Sequence, residues 1–290
     1  MVAALLMCCG CGNTADYDAC GNFEADEVLV VAQGAGQLLS FDVREGMSVA
    51  KGDVLGLVDT VQLGLQKVQL DAQLRSVGSS RPDVEDQVAA LRSQVANLKS
   101  EKVRIGNLVA KGAVPSKQLD DIEAQLDVLE KQLSAQTSVL KKSVASVDHN
   151  ATALAAQIEM VSDRIAKCHI SSPAGGTVIS KYVNEGEVVN IGTPLFKVAD
   201  LENVYLRAYF TSDQLGGVNL GDSVKVVADF GGDQQYDYEG KIVWISSESE
   251  FTPKAVQTRN TRANLVYAVK VAVKNDGRLK LGMYGEVTLQ

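Results

Sequence analysis

Residues Gly36 to Val58 read GQLLSFDVREGMSVAKGDVLGLV, and residues Gly176 to Val198 read GTVISKYVNEGEVVNIGTPLFKV. Laid over one another at an offset of 140 residues, they coincide without a gap at Gly36/Gly176, Val43/Val183, Glu45/Glu185, Gly46/Gly186, Val49/Val189, Gly52/Gly192, Leu55/Leu195 and Val58/Val198. Each copy consists of short apolar strands broken by glycine. Glu45-Gly46 and Glu185-Gly186 supply tight turns in which Gly takes positive φ, and the following Val starts the next strand. One copy holds too few apolar residues to close a core alone, so the two are expected to pack face to face. The expected core is Leu38, Val43, Val49, Leu55, Val178, Val183, Val189 and Leu195.

Between the copies lie residues 60–168, rich in helix formers and without a good strand. Val84, Val88, Leu91, Val95, Leu98 and Ile105 are spaced 4, 3, 4, 3 and 7, and Leu119, Ile122, Leu126, Leu129, Leu133 and Leu140 are spaced 3, 4, 3, 4 and 7. Those are two heptad seams. Lys111-Gly112-Ala113-Val114-Pro115-Ser116 separates them with residues that end one helix and open the next. The midpoint between Asp59 and His169 is residue 114, so an antiparallel hairpin has its tip at 111–116. An apolar rhythm of Val61, Leu65, Val68 and Leu74 precedes the first seam and breaks at Gly78 to Pro82, with Asp83 suited to the first turn of a renewed helix. The second arm runs unbroken to Ile165. Some fifty residues give an arm of roughly 75 Å. Arg92 and Lys99 on the first arm and Glu123 and Glu130 on the second lie on polar flanks outside the seams, ordinarily a solvated face.

Phe23 to Val31 predicts a strand leading into the first copy. From residue 201 onward the sequence changes to short strands, Val204 to Phe210, Ser223 to Val227, Gly240 to Ile245, Val266 to Val273 and Gly285 to Leu289, punctuated by Gly-Asp and Asn-Asp-Gly. They predict a small antiparallel barrel, with Thr211 or Ser212 capping a single helical turn. The fold class is α+β: a coiled-coil hairpin inserted into a split β domain, followed by a β-barrel. The expected divisions are 1–20, 21–59, 60–168, 169–200 and 201–290.

The net charge is −8, and aromatics make up 5 % of the chain. An acidic chain poor in stacking rings does not suit nucleic acid. No phosphate-binding Gly-x4-Gly-Lys-Ser/Thr loop occurs, and Gly34-Ala35-Gly36 lacks the third glycine of a dinucleotide loop. His149 and His169 have no ligand partner nearby, and no catalytic constellation, metal set or cofactor site is expected. Of five cysteines, at 8, 9, 11, 20 and 168, three crowd one end and make no disulfide framework, while Cys168 reads as a small core residue. Met1 to Met7 (MVAALLM) running into Cys8-Cys9-Gly10-Cys11 resembles the end of a bacterial lipoprotein signal, in which a small residue precedes the acylated cysteine. Cys11, after Gly10, fits best, with Cys9 and Cys8 as alternatives. The apolar part is short and has no Lys or Arg before it, so an ordinary leader is the other reading.

The duplicated stretch resembles the half-motif of lipoyl and biotinyl carrier domains. In those carriers a modified Lys sits on the hairpin joining the halves; here the helical arm replaces it, and neither Met-Lys-Met nor Asp-Lys-Ala occurs there, which argues against a carrier. Half-motif, helical hairpin, half-motif and barrel, in that order, resemble the periplasmic adaptor, or membrane fusion, proteins of the HlyD class. Ser249 to Val273, with Glu250-Phe251-Thr252-Pro253-Lys254 and a following Gln257-Thr258 and Arg259, resembles a barrel signature of the subgroup that works with ABC-type exporters. Leu279-Lys280-Leu281-Gly282-Met283 resembles that family's Leu-x-x-Gly-Met ending. The resemblance implies a non-catalytic adaptor, held at the inner membrane by a lipid anchor and assembled side by side, commonly as hexamers. It would link an ABC-type permease and ATPase to a TolC-like outer-membrane channel. The family's hairpin tip commonly carries Arg, three residues, Leu, six residues and Ser, and meets the channel. Arg104 and Leu108 match that spacing; Pro115 stands at the Ser position, and Ser116 follows it. A structural coiled-coil scaffold lipoprotein of the envelope is the competing class.

Overall fold

The computed structural model describes residues 17–231, 234–251 and 265–289. Cys8, Cys9 and Cys11 lie outside the described residues, as does most of the signature after Glu250. The chain divides into two compact units: the segments up to Val58 and from His169 onward form one, and Asp59–Cys168 forms the other.

In the first unit the two copies build two four-stranded sheets. From the first copy come β2 (Glu27–Val31), β3 (Gly36–Phe41), β4 (Ser48–Val49) and β5 (Val54–Val58); from the second come β6 (His169–Ser171), β7 (Gly176–Lys181), β8 (Val188–Val189) and β9 (Pro194–Ala199). The sheet orders are β2-β9-β7-β4 and β6-β5-β3-β8. All eight expected core residues are buried. The copies do more than stack, however. In each sheet the central pair comes from one copy and both edge strands from the other, so neither sheet exists without both copies.

The hydrogen bonds repeat with the sequence. Gly46 N–H donates to the Val178 carbonyl and Gly186 N–H to the Leu38 carbonyl, both at 2.8 Å; Gly192 N–H donates to Ala32 and Gly52 N–H to Ser172, again both at 2.8 Å. The repeat thus reaches back beyond Gly36 to Ala32 and Ser172, both buried. Nothing in their side chains advertises this, since backbone groups carry the bonds.

The expected single strand over Phe23 to Val31 is two strands. β1 (Ala19–Glu24) belongs to a closed barrel, and only β2 belongs to the sandwich. The barrel runs β1-β10-β13-β12-β11-β14, with β10 (Asn203–Thr211), β11 (Ser223–Asp229), β12 (Gln235–Phe251), β13 (Leu265–Lys274) and β14 (Tyr284–Leu289). Without β1 the strands after residue 201 would leave two open edges, whose unpaired backbone groups β1 satisfies on both sides. It pairs with β10 and with β14. The Leu279-x-x-Gly282-Met283 stretch fastens it: Gly282 N–H donates to the Phe23 carbonyl at 2.8 Å, and Phe23 N–H donates to the Met283 carbonyl at 2.9 Å. Phe23, Leu206, Phe210, Ile242 and Leu279 fill the interior. Thr211 caps α4 (Ser212–Leu215), its N–H donating to the Gln214 side chain at 2.9 Å.

The second unit is the helical hairpin: α1 (Val61–Ser79) and α2 (Val84–Ala110) make the first arm, α3 (Lys117–Lys167) the second. Asp83 is the N-cap of α2, accepting from the N–H groups of Glu85 and Asp86 at 2.9 and 3.2 Å. On α3 the buried and half-buried positions alternate in steps of three and four from Leu119 to Cys168. One exception occurs at Leu129, Leu133 and Thr137, two successive fours, a stutter that locally unwinds a coiled coil. The first arm departs from the expected rhythm. On α1 the residues turned inward are Leu63, Lys67, Leu70, Leu74 and Val77, while Val61, Leu65 and Val68 are about 60 % exposed. Apolar residues occur at heptad spacing on both faces of α1, so spacing alone does not select the buried one. Among the described residues no helix is long and apolar enough to cross a membrane.

Gly176 is the glycine the sandwich tolerates least. Its φ is +151°, and a Cβ there would sit 2.4 Å from the Ala199 carbonyl oxygen on β9, whereas a Cβ on Gly186 meets nothing within 4 Å. Gly176→Ala is expected to cost about 3 kcal/mol through strain and overpacking, and Gly186→Ala about 1 kcal/mol through strain alone. Urea titration of the two variants checks the ordering.

The candidate functional site at the hairpin tip

The tip is built by two helix ends. α2 closes at Lys111 with Gly112 at φ +70°; Gly112 N–H donates to Val109 and Ala113 N–H to Leu108, both at 2.9 Å. This pair of bonds is a Schellman motif, and it satisfies two carbonyls that the helix end leaves without partners. Pro115 then opens the second arm, its carbonyl accepting from Gln118 at 3.2 Å, and the Ser116 carbonyl accepts from Leu119 at 2.9 Å. Ser116 is the N-cap of α3 by position, but its side chain makes no capping bond.

The structure brings Leu108, Pro115 and Ser116 to this turn and sets Arg104 one helical turn before Leu108. Pro115 and Ser116 are exposed, while Leu108 and Val114 are half-buried. Arg104 is exposed and is not a free charge. Its Nε donates to Glu101 at 2.9 Å, and an Nη donates to the other carboxylate oxygen. The hydrogen bond from Arg104 holds the Glu101 carboxyl below its ordinary pKa and in return raises that of Arg104. The sign follows: the lowered carboxyl keeps the pair intact from neutral pH down through the ordinary carboxylate range, and the pair is lost only as pH falls through the lowered value. Glu101 was legible three residues before Arg104, a spacing at which helix side chains meet.

The charges expected on the outer flanks are largely spent inside the hairpin. Lys99 pairs with Glu130 at 2.7 Å and Lys102 with Glu123 at 3.1 Å across the arms, and Arg92 pairs with Glu85 along α2. Antiparallel arms place such residues at one height. Exposed pairs of this kind contribute about 0–1 kcal/mol each and act mainly on register. Lower down, Arg81 pairs with Asp148 at 3.4 Å. His149 and His169 are both exposed, one on α3 and one on β6. Cys168 is buried, and burial, with Asp59 second, pushes its thiol pKa up, away from reactivity.

Comparison with known proteins matches residues 26–200 to a family described as CzcB-like, barrel-sandwich hybrid domain. The chain belongs to the membrane fusion proteins, the periplasmic adaptors. Among curated relatives of this membrane fusion protein is a UPF0194 membrane protein of Acidithiobacillus ferridurans, 29 % identical over 286 residues, covering 91 % of this chain and 83 % of the relative. A UPF0194 membrane protein of Yersinia enterocolitica is 26 % identical over 288 residues, covering 91 % and 86 %. Of solved structures, MacA from Actinobacillus actinomycetemcomitans superposes with a TM-score of 0.57 at 22 % identity, covering 93 % of this chain and 76 % of that one. The membrane fusion protein Spr0693 from Streptococcus pneumoniae gives 0.55 at 16 % identity, covering 93 % and 98 %. These superpositions establish the shared fold.

The positive φ of Gly112 makes the turn testable. A Cβ at that position meets nothing within 4 Å, so Gly112→Ala loads the backbone alone. It is expected to destabilise the hairpin by about 1 kcal/mol, read as a lower midpoint in thermal denaturation followed by helical circular dichroism.

Proposed function

We propose that this membrane fusion protein is a non-catalytic periplasmic adaptor linking an inner-membrane exporter of the ABC type to a TolC-like outer-membrane channel. The barrel and sandwich gather around the exporter, several copies, by analogy six, stand side by side, and the hairpin tip meets the channel. A lipid on Cys11, or on Cys9 or Cys8, holds the chain at the inner membrane. The observation that carries this reading is the hairpin itself. Its second arm is 51 residues long, about 77 Å at the α-helical rise, far more than covering a small core requires. Its end is a defined turn, with Leu108 in the last turn of α2 and Arg104 one helical turn before it, the spacing of the tip motif that the family resemblance implies.

Arg104 and Leu108 have complementary parts in that contact. The Arg104 guanidinium has N–H groups beyond those given to Glu101 and can donate to carbonyls at the tip of a partner hairpin. Leu108, half-buried in its own turn, offers the rest of its surface as an apolar knob. A double variant carrying Arg104→Asp and Leu108→Asp is expected to lower export by roughly tenfold or more, the loss typical of removing an interface anchor, while helical content stays at the parent level. Export at the parent rate would overturn the tip contact. Co-purification of the parent chain with an ATP-binding permease tests the transporter class.

A further inference from the structure

The chain's one tryptophan, Trp244, lies on the outer wall of the barrel, where β12 pairs with β13. In a regular strand successive side chains point to opposite faces, so one of Val243 and Trp244 would be inside. Both are 41 % exposed. The ladder gives the reason: Ile242 stands opposite Val271 and Trp244 opposite Lys270, which leaves Val243 as an extra residue without a partner on β13. It is a β-bulge, a device that re-aims a side chain. Ile242, just before it, belongs to the barrel core. The bulge thus turns an aliphatic and an indole side chain outward together.

Around Trp244 the wall gathers cations. Lys270 stands opposite Trp244 on β13, and Arg207 stands opposite Lys270 on β10. Lys241, exposed and opposite Ala272, precedes the bulge on β12. Like charges directly opposite in a ladder repel, so the Lys270–Arg207 pair is unfavourable unless an anion lies against it. The acids of this wall, Glu250 and Glu24, act on Arg207. Glu250 accepts from an Arg207 Nη at 2.6 Å, while Arg207 Nε is buried without an acceptor among the described residues. A buried donor left in that state is costly. Lys270 places its Nζ 5.4 Å from the centroid of the Tyr205 ring. Among the described residues neither Lys270 nor Lys241, the two cations that flank Trp244, has a carboxylate partner.

We propose that Lys241, Val243, Trp244 and Lys270 form a binding site for an anionic amphiphile, a phosphate-type head on an apolar body. The head lies against Lys241 and Lys270 and draws on Arg207, whose unpaired N–H gains an acceptor when the guanidinium turns toward it. The body covers Val243 and the indole, whose burial is favourable. Neither half of the site suffices. Exposed cations hold a bare anion weakly, because salt screens them. One indole and one valine remove too little apolar surface from water to offset the cost of immobilising a neutral molecule. The two halves together select the amphiphile. A free molecule and a lipid headgroup share this chemistry. The site rests on the barrel wall alone, and any use of it in export rests on the adaptor reading.

Trp244, as the one tryptophan, reports on its own site. The full chain, carrying Cys8→Ala, Cys9→Ala and Cys11→Ala so that no acyl anchor contributes, is titrated with octyl phosphate below its micellar concentration. A saturable shift of Trp emission to shorter wavelength is expected, which neither inorganic phosphate nor octyl glucoside produces at the same concentrations. Lys241→Gln with Lys270→Gln is expected to raise the half-saturating concentration roughly tenfold, the loss of a charge-assisted hydrogen bond, with the urea midpoint unchanged. Lys241→Arg with Lys270→Arg restores binding. Phosphatidylglycerol vesicles, set against phosphatidylcholine vesicles, separate the two sources: a response to the former alone supports the site with a bilayer as its source, and a response to octyl phosphate supports it with a free molecule. No shift with either anionic probe, an equal shift with octyl glucoside, inorganic phosphate or phosphatidylcholine vesicles, or an undiminished response in the Gln variant would each overturn the proposal. Export is read separately: binding by a chain that supports no export would leave this site standing and remove the adaptor function.

Discussion

Leu57 and His169 face one another across the antiparallel strands β5 and β6, although the whole helical hairpin lies between them in sequence. That pairing is the constraint on which the molecule depends. It holds the two ends of the insertion side by side, so the arms leave and return at one place and have to run antiparallel. It also completes one of the two sheets, whose central and edge strands come from different copies of the repeat. A single copy would present unpaired edges and half a core; exchange of the edge strands satisfies both at once. The barrel follows the same logic at larger sequence separation, with β1 supplying the strand that closes it.

Much of this was legible in the residues. The duplicated glycines and valines announced a two-copy core, and every residue assigned to that core is buried. The tip emerged from symmetry and from Gly112 and Pro115. Strand exchange was not legible, because the bonds that tie the copies together run between backbone groups, from Gly46 to Val178, Gly186 to Leu38, Gly192 to Ala32 and Gly52 to Ser172, which no side-chain pattern records. Nor was the division of Phe23 to Val31 between two domains, since both halves have the same β character and the Ala25-Asp26 junction carries no strong turn signal.

The helical arm shows why periodicity has limits. Val61, Leu65 and Val68 are apolar at helical spacing, yet they lie outside, and Leu63, Leu70 and Leu74 lie inside. α1 carries apolar residues at helical spacing on two faces, and periodicity alone cannot rank them. At the tip, Arg104 and Leu108 were legible as positions, but their surroundings were not. Arg104 is already committed in part to Glu101, so any partner at the tip meets an oriented guanidinium rather than a freely moving one. Such preorganisation reduces the side-chain entropy lost on contact.

The fold therefore separates its tasks. The core of the β unit is drawn from residues outside the insertion, and the hairpin is a separate compact unit that ends in the 111–116 turn. The most direct measurement replaces residues 59–167 with Asn-Gly, a dipeptide suited to joining two antiparallel strands, and follows urea unfolding by the fluorescence of Trp244 in β12. A cooperative transition with a midpoint close to that of the full chain is the expected result, since every core residue of the sandwich and barrel is retained. A shortened chain without a cooperative transition would contradict the account, showing that the hairpin is part of what holds the β unit together.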